Sequence, residues 1–219
     1  MAAAEAPLDA DTMARFERDG FAVVTLPLTA EELQAAADAW DRNVDPIIDD
    51  AGYIGLISHP CVEAIAKQVL RAERVFILES GRAERPGVEP GTPPPTEFAE
   101  RHGHATEWAN GLHSDVQVTA GDWEATPRRE HLAIWMWMDD VTPERGAIRI
   151  LPGSHLTLGA HWEEMMAQHR DGQSLPLPRS GQHGDYEGDY DQVEYAGLEP
   201  FPVSARRGQA LIFSQALMQ

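Results

Sequence analysis

An imidazole and a carboxylate stand two residues apart in the segment His113-Ser114-Asp115. In an extended strand, residues i and i+2 leave the same face, so both side chains could reach a single metal ion. Two histidines and one carboxylate on one face of an octahedral Fe(II) leave three positions open, and this is the ligand set of non-heme iron oxygenases. The segment therefore supplies two of the three ligands of such a site, and a second histidine is still required.

The tripeptide is a weak signal by itself, because His-x-Asp also occurs as a polar strand end with a capping aspartate. The residues that follow it strengthen the metal interpretation. An apolar strand is predicted from His131 to Met138, and a turn with a proline and a glycine follows over residues 139–146. Residues 147–151 form a second apolar stretch, which ends in the turn sequence Pro152-Gly153-Ser154-His155.

This order of motifs resembles the phytanoyl-CoA dioxygenase family of Fe(II)- and 2-oxoglutarate-dependent oxygenases. The segment from Phe16 to Val24 is similar to the family's opening helix and strand, and Arg207 to Phe213 is similar to the strand that carries its second histidine. The resemblance covers most of the chain, with residues 82–110 and 165–200 unaligned. It implies hydroxylation of a small organic substrate, coupled to decarboxylation of 2-oxoglutarate to succinate.

The resemblance also implies roles for individual residues. His113 and Asp115 would bind Fe(II), and 2-oxoglutarate and O2 would occupy the open positions. Trp135 resembles a tryptophan that the family places close to the cosubstrate, so we expect it to line the pocket, whereas Trp137 is expected in the core. The carboxylate of Asp115 favours hydroxylation over halogenation, because related iron halogenases have a small residue at this position.

The second iron histidine of the family is not found where the resemblance places it. Extending the match of Gly208 to Phe213 without gaps puts Gln219 at that position. The family's arginine for the far carboxylate of 2-oxoglutarate would follow beyond it, and a lysine would not copy that bidentate contact. We therefore expect one oxygenase domain over residues 1–219 that is truncated at its C-terminus.

Two alternatives retain a metal site without oxygenase activity. The missing histidine and arginine would suit a catalytically silent jelly-roll protein that binds metal or serves as a scaffold. A cupin-like or zinc hydrolytic site has less support, because hydrolytic zinc takes three protein ligands and no third one stands at a suitable spacing. His155 is expected to cap the segment after it. His155 and His131 are nevertheless the first candidates to complete the iron site if the chain is active.

The elements that must position these residues indicate a mainly β fold with N-terminal helices. The expected architecture is a double-stranded β-helix of the jelly-roll, cupin-like type that lacks its last strand. An open sheet edge of this kind favours pairing with another copy, so a homo-oligomer is expected. Three early helices are predicted: one over Asp11–Asp19, a second that begins after a capping box of Thr29 and Glu32, and a third over Pro60–Leu70. Strands are predicted over Phe21–Thr25 and Arg74–Ser80.

Composition narrows the range of partners. The formal charge is −19, and Lys67 is the one lysine among 17 basic residues, so a nucleic acid partner is not expected. No apolar run reaches the length of a membrane span, and the first residues lack a basic signal region, so no membrane partner is expected. Cys61 is the single cysteine, which excludes an internal disulfide and favours a cytoplasmic protein, with this residue in the core.

Two long irregular stretches remain. Residues 82–110 contain five prolines and lead into His113, so we expect a loop that acts as a lid. Residues 170–200 are rich in glycine, aspartate and tyrosine, and either a surface insertion or a substrate-facing flap would account for them. Neither stretch names a substrate.

Overall fold

A computed structural model describes residues 7–42, 49–77, 130–143, 147–170, 195, 197–214 and 216–217. Helices and strands are numbered here in chain order within these residues. They are α1 (Ala10–Asp19), β1 (Phe21–Thr25), α2 (Ala30–Arg42), α3 (Ala51–Ile57), α4 (Pro60–Val69), β2 (Leu132–Met136), β3 (Arg149–Ile150), α5 (Ser154–Arg170), β4 (Phe201–Pro202) and β5 (Gln209–Ser214).

A three-stranded antiparallel sheet organises the described part of the chain. β5 lies in the centre, with β1 on one side and β2 on the other. Successive side chains of a strand point to opposite faces, so β5 contributes to two cores at once. Its four residues from Ala210 to Phe213 are all buried for this reason.

One face of the sheet is covered by helices. Met13 and Phe16 of α1 pack there, and Cys61 and Ile65 contribute from α4. Cys61 is buried, as its assignment to the core requires. The other buried members of this cluster are Leu8, Ala22, Leu26, Ala210 and Ile212.

The opposite face is covered by a second, smaller sheet. β3 and β4 pair antiparallel, with Ile150 opposite Phe201. Ile150 and Val203 pack against Leu211 and Phe213 of the central strand. Two antiparallel sheets packed face to face agree with the expected double-sheet architecture.

Local sequence signals mark both ends of α1 and the start of α2. The side chain of Asp9 accepts a hydrogen bond from the Thr12 amide at 2.7 Å, and Gly20 closes α1 in the left-handed region with φ of 83°. The capping box before α2 is present. The Thr29 amide donates to Glu32 Oε2 at 2.8 Å, and the Glu32 amide donates to Thr29 Oγ1 at 3.2 Å.

Helix α3 was not predicted, and it is attached to α2 by an ion pair. Asp50 is its N-cap and accepts hydrogen bonds from the Gly52 and Tyr53 amides. Arg42 at the end of α2 donates to both oxygens of the same carboxylate, at 2.7 and 2.8 Å. The hydrogen bonds from Arg42, with smaller contributions from the Gly52 and Tyr53 amides, lower the pKa of Asp50 from 3.8 to about 2.

Two sequence predictions about the fold are wrong. Helices are not confined to the start, because α5 is a 17-residue helix between β3 and β4. Its Leu158 and Trp162 are buried four residues apart, which is helical spacing. Residues 74–77 of the expected strand Arg74–Ser80 are not in a strand, and Phe76 is 82% exposed there. Helical residues consequently outnumber strand residues in the described part. None of the helices seen there is long and apolar enough to cross a membrane.

Candidate active site

The face of the three-stranded sheet that turns away from α1 and α4 is called the inner face below. The registers Phe21↔Phe213 and Trp135↔Leu211 align the outer strands with β5 and define its members. Its apolar residues are Phe21 and Val23 of β1, Ala133 and Trp135 of β2, and Leu211 and Phe213 of β5. At one end of the same face Thr25 pairs with Gln209, whose side-chain amide donates to the Thr25 hydroxyl at 3.3 Å.

Trp135 differs from its neighbours on the inner face in its exposure. Its side chain is 36% exposed, whereas Leu211 and Phe213 are 0% and 2% exposed. The indole meets the Phe213 ring edge to face, with centroids 5.5 Å apart and an interplanar angle of 86°. This geometry holds the indole in one orientation and leaves part of its surface free to contact a bound molecule.

The cover over the inner face comes from the second sheet. Phe201 of β4 contacts Phe21 of β1, with ring centroids 6.3 Å apart. Trp137, just after β2, packs with the covered cluster, which confirms its expected place in the core. Trp135 therefore lies on an apolar wall that is covered in part and accessible at the indole.

The predicted iron ligands His113 and Asp115 lie outside the described residues, as does Gln219. The predicted lid over residues 82–110 lies outside them too. Across the described ranges, no group of three or more histidine, cysteine, aspartate or glutamate side chains is arranged to hold a metal ion. The ligand assignment accordingly remains a prediction.

His155 does not have the capping role that the sequence predicted. Its ring does not cap the following segment but turns toward α1, where Nε2 donates to the Glu17 carbonyl oxygen at 3.2 Å. Burial lowers the pKa of this imidazole. His131 is half-buried directly before β2 and interacts within the protein. In this conformation, His155 is occupied by contacts with α1.

Sequence reasoning did not identify Phe213 as the partner of Trp135. The signal was weak, because the two residues lie on strands far apart in the chain and only the register brings them together. The alternation of Leu211 and Phe213 with Ala210 and Ile212 could have placed both rings on one face. It could not have shown which face of the sheet packs against β3 and β4.

A comparison with protein-family models identifies the family. The model of phytanoyl-CoA dioxygenase (PhyH) matches residues 53–218. The chain belongs to the phytanoyl-CoA dioxygenase family. It is therefore a non-heme oxygenase that depends on iron and 2-oxoglutarate. The matched range includes His113, Asp115 and every strand described here except β1.

Solved structures of similar fold agree with this family assignment. The carbocyclase SnoK from nogalamycin biosynthesis has a TM-score of 0.52 at 14% identity, over 96% of this chain and 76% of its own. EctD from S. alaskensis, solved with 2-oxoglutarate and 5-hydroxyectoine, has a TM-score of 0.53 at 16% identity, over 100% of this chain and 71% of its own. The epimerase SnoN, in complex with Fe3+, alpha ketoglutarate and nogalamycin RO, has a TM-score of 0.50 at 17% identity, over 95% of this chain and 74% of its own.

At these identities the likeness concerns the fold alone. It shows that the chain shares the fold of oxygenases that include structures solved with Fe3+ or 2-oxoglutarate, while the double-stranded β-helix that lacks its last strand stays a prediction. This chain spans about three-quarters of the length of these structures. No curated protein matches it significantly in sequence.

Proposed function

We propose that the protein hydroxylates a small organic molecule, with His113 and Asp115 as ligands of Fe(II). In the balanced reaction one atom of O2 enters the substrate as a hydroxyl group, and the other enters succinate as 2-oxoglutarate loses CO2. The observation that carries the proposal is the family-model match, because it spans both proposed ligands. Bound iron would supply the activation of O2.

The described residues would act on the substrate side of this reaction. Trp135, fixed by Phe213, would offer a flat apolar surface beside the cosubstrate. Leu211 and Phe213, which are buried on the same face, would keep water from the sheet side of a molecule bound against the indole. An apolar wall of this kind favours productive chemistry by keeping water away from reactive species.

The competing proposal is a silent jelly-roll protein that binds metal without turnover. It is favoured by Gln219, which stands where the resemblance expects a histidine and offers an amide as a weaker ligand. Succinate formation separates the two proposals, since a silent protein would bind Fe(II) without consuming 2-oxoglutarate.

The experiment measures succinate from 2-oxoglutarate with Fe(II), ascorbate and O2, together with Fe(II) retention. His113→Ala and Asp115→Ala should each lose most iron binding and all succinate formation. His161→Ala is the matched control, because its histidine lies on α5 and not on a strand of the sheet. Equal iron retention in the three variants would contradict the ligand assignment. Iron binding without succinate in the wild type would favour the silent protein.

We also propose a single domain in a cytoplasmic, reducing location, with 2-oxoglutarate, O2 and one small molecule as its partners. The location is supported by Cys61, whose buried thiol forms no disulfide and contacts His59 Nδ1 at 2.9 Å. Burial raises the pKa of this thiol, so it stays protonated and protected from oxidation.

A further inference from the structure

A cavity of about 280 Å³ lies on the helix-covered side of the sheet, where α1 meets the end of α4. Its apolar wall includes Met13, Phe16 and Val69, which all pack against the buried cluster on that side. The volume is just below the range of about 300–1,000 Å³ that is usual for ligand pockets. The cavity therefore has room for a small organic molecule, and none of its lining residues belongs to the proposed iron site.

The rim of this cavity is charged. Glu17, Arg71 and Glu130 line it and are exposed. The Arg71 guanidinium pairs with the Glu17 carboxylate at 2.5 Å, but the two side chains are 78% and 54% exposed. An ion pair as exposed as this contributes little, so a ligand can replace one partner at small cost.

The charges at the rim do not cancel. Glu130 forms no ion pair with any residue that the structure describes. Two carboxylates against one guanidinium leave one negative charge at the rim. The formal charge of −19 on the whole chain acts in the same direction, because it raises the local concentration of cations and repels anions.

The end of α4 contributes to the same polarity. This helix ends at Val69, with Leu70 as its C-cap, and both residues line the cavity. The last carbonyl groups of a helix carry a partial negative charge, which favours a nearby cation. Side chains and backbone therefore agree in the sign of charge that the cavity accepts.

Arg71 stands where a glycine would be the more stable residue. Its φ of 50° lies in the left-handed region. The Arg71 and Ala72 amides donate to the carbonyl oxygens of Gln68 and Lys67, at 3.3 and 3.0 Å, which is the pattern of a helix end that usually contains glycine. The turn itself thus does not require this arginine, and glycine can replace it without strain.

We propose that this cavity binds a small organic cation, with its ammonium group at the rim beside Glu130 and its apolar body against Met13 and Phe16. Such a ligand matches both the apolar wall and the negative rim. A carboxylate ligand would match Arg71 but would be repelled by Glu17 and Glu130. The site is separate from the inner face and does not depend on the proposed function.

The experiment titrates the full chain with four probes at low salt, where charge attraction is least screened, and without Fe(II) or 2-oxoglutarate. Phenethylamine carries the ammonium group and an apolar body, 2-phenylethanol is its neutral counterpart, phenylacetate is the anion, and methylamine has the charge alone. We expect phenethylamine to bind at least about tenfold more tightly than each of the other three. Backbone amide signals of Phe16, Glu17, Leu70 and Arg71 should shift in its nuclear magnetic resonance titration.

Three variants locate the charge that attracts the cation. Glu130→Gln should weaken phenethylamine binding about fivefold, because it removes the carboxylate beside the ammonium group. Glu164→Gln is the matched control, since it changes the net charge equally at an exposed position of α5, outside the cavity, and should stay within about twofold of wild type. Arg71→Gly should tighten binding about twofold or more, because it removes a positive charge and frees Glu17.

The contrary results are specific. Phenylacetate or 2-phenylethanol binding as tightly as phenethylamine would overturn the choice of a cation. Equal weakening in Glu130→Gln and Glu164→Gln would assign the attraction to the overall charge and overturn the site. Weaker binding in Arg71→Gly, or unchanged amide signals at the cavity, would also overturn it. Since iron and 2-oxoglutarate are absent from the titration, its result and that of the succinate assay are independent.

Discussion

At the scale of single residues, Trp135 and Phe213 touch each other but differ in what they contribute. Phe213 is almost fully buried in the core, so Phe213→Ala should cost about 3–5 kcal/mol of stability. Trp135 is 36% exposed, so Trp135→Ala should cost much less while raising the KM for 2-oxoglutarate or substrate. Urea unfolding and succinate kinetics on both variants check this. Trp135→Phe is the control, because it keeps a ring against Phe213.

His155 makes stability depend on pH in a defined direction. Burial lowers its pKa in the folded protein below the ordinary 6.5, so the unfolded chain binds the proton more readily. Its contribution should be complete above pH 6.5 and should decline as the pH falls from there toward the folded pKa. Urea midpoints between pH 7.5 and pH 5 should fall less steeply in His155→Gln. An equal slope in both proteins would contradict this assignment.

At the scale of elements, the junction between α2 and α3 depends on one carboxylate. Asp50 has a folded pKa of about 2 against an ordinary 3.8, so its stabilisation is present above pH 3.8 and is lost as the pH falls toward 2. Asp50→Asn should lower the thermal midpoint by several degrees at pH 7, and the difference from wild type should shrink in acid. Glu63→Gln, which removes an exposed i,i+4 pair with Lys67, is the control and should change little.

The central strand should be the most sensitive element of the described fold. Leu211 and Ile212 are fully buried on opposite faces of β5 and belong to different cores. Each change to alanine should therefore cost about 2–5 kcal/mol in denaturant unfolding. Ile54→Ala, at an exposed position of α3, should cost much less. Small losses at both β5 positions would mean that the strand is not central.

The elements differ in how far the sequence predicts them. α1 and the capping box before α2 were predicted, because Gly20, Thr29 and Glu32 act on their own neighbours. α3 was missed, since its two glycines lower helix propensity and its start depends on Arg42 from another helix. Pro152 and Gly153 form the predicted turn, whereas the helix that begins at Ser154 and the contact of His155 with α1 were not predicted.

The candidate site shows the same division. Trp135 could be singled out by its place on a predicted strand and by the family resemblance. Its contact with Phe213 depends on strand register, which no local pattern specifies. The close approach of His155 to Gly20 is likewise a tertiary contact between segments far apart in the chain.

At the scale of the whole molecule, charge opposes compaction. The chain carries a formal charge of −19, so the folded state suffers self-repulsion that dissolved salt can screen. Raising NaCl from 20 to 500 mM should increase the thermal midpoint by about 2–4 °C, equivalent to about 1 kcal/mol at this chain length. A midpoint that falls with salt would show that attractive ion pairs, such as Arg42 with Asp50, outweigh the repulsion.

The order of the strands in the sheet has a consequence for biosynthesis. Phe21 of β1 pairs with Phe213 of β5, and β2 also pairs with β5. Neither β1 nor β2 can therefore form these hydrogen bonds until β5, near the end of the sequence, has been synthesised. A nascent chain that has not yet been extended to Ser214 contains β1 and β2 but lacks the complete strand between them. Such long-range pairing slows folding and leaves apolar edges uncovered in the meantime. The sheet must therefore assemble after translation of β5, and chaperones that bind exposed strands would act on this chain during that interval.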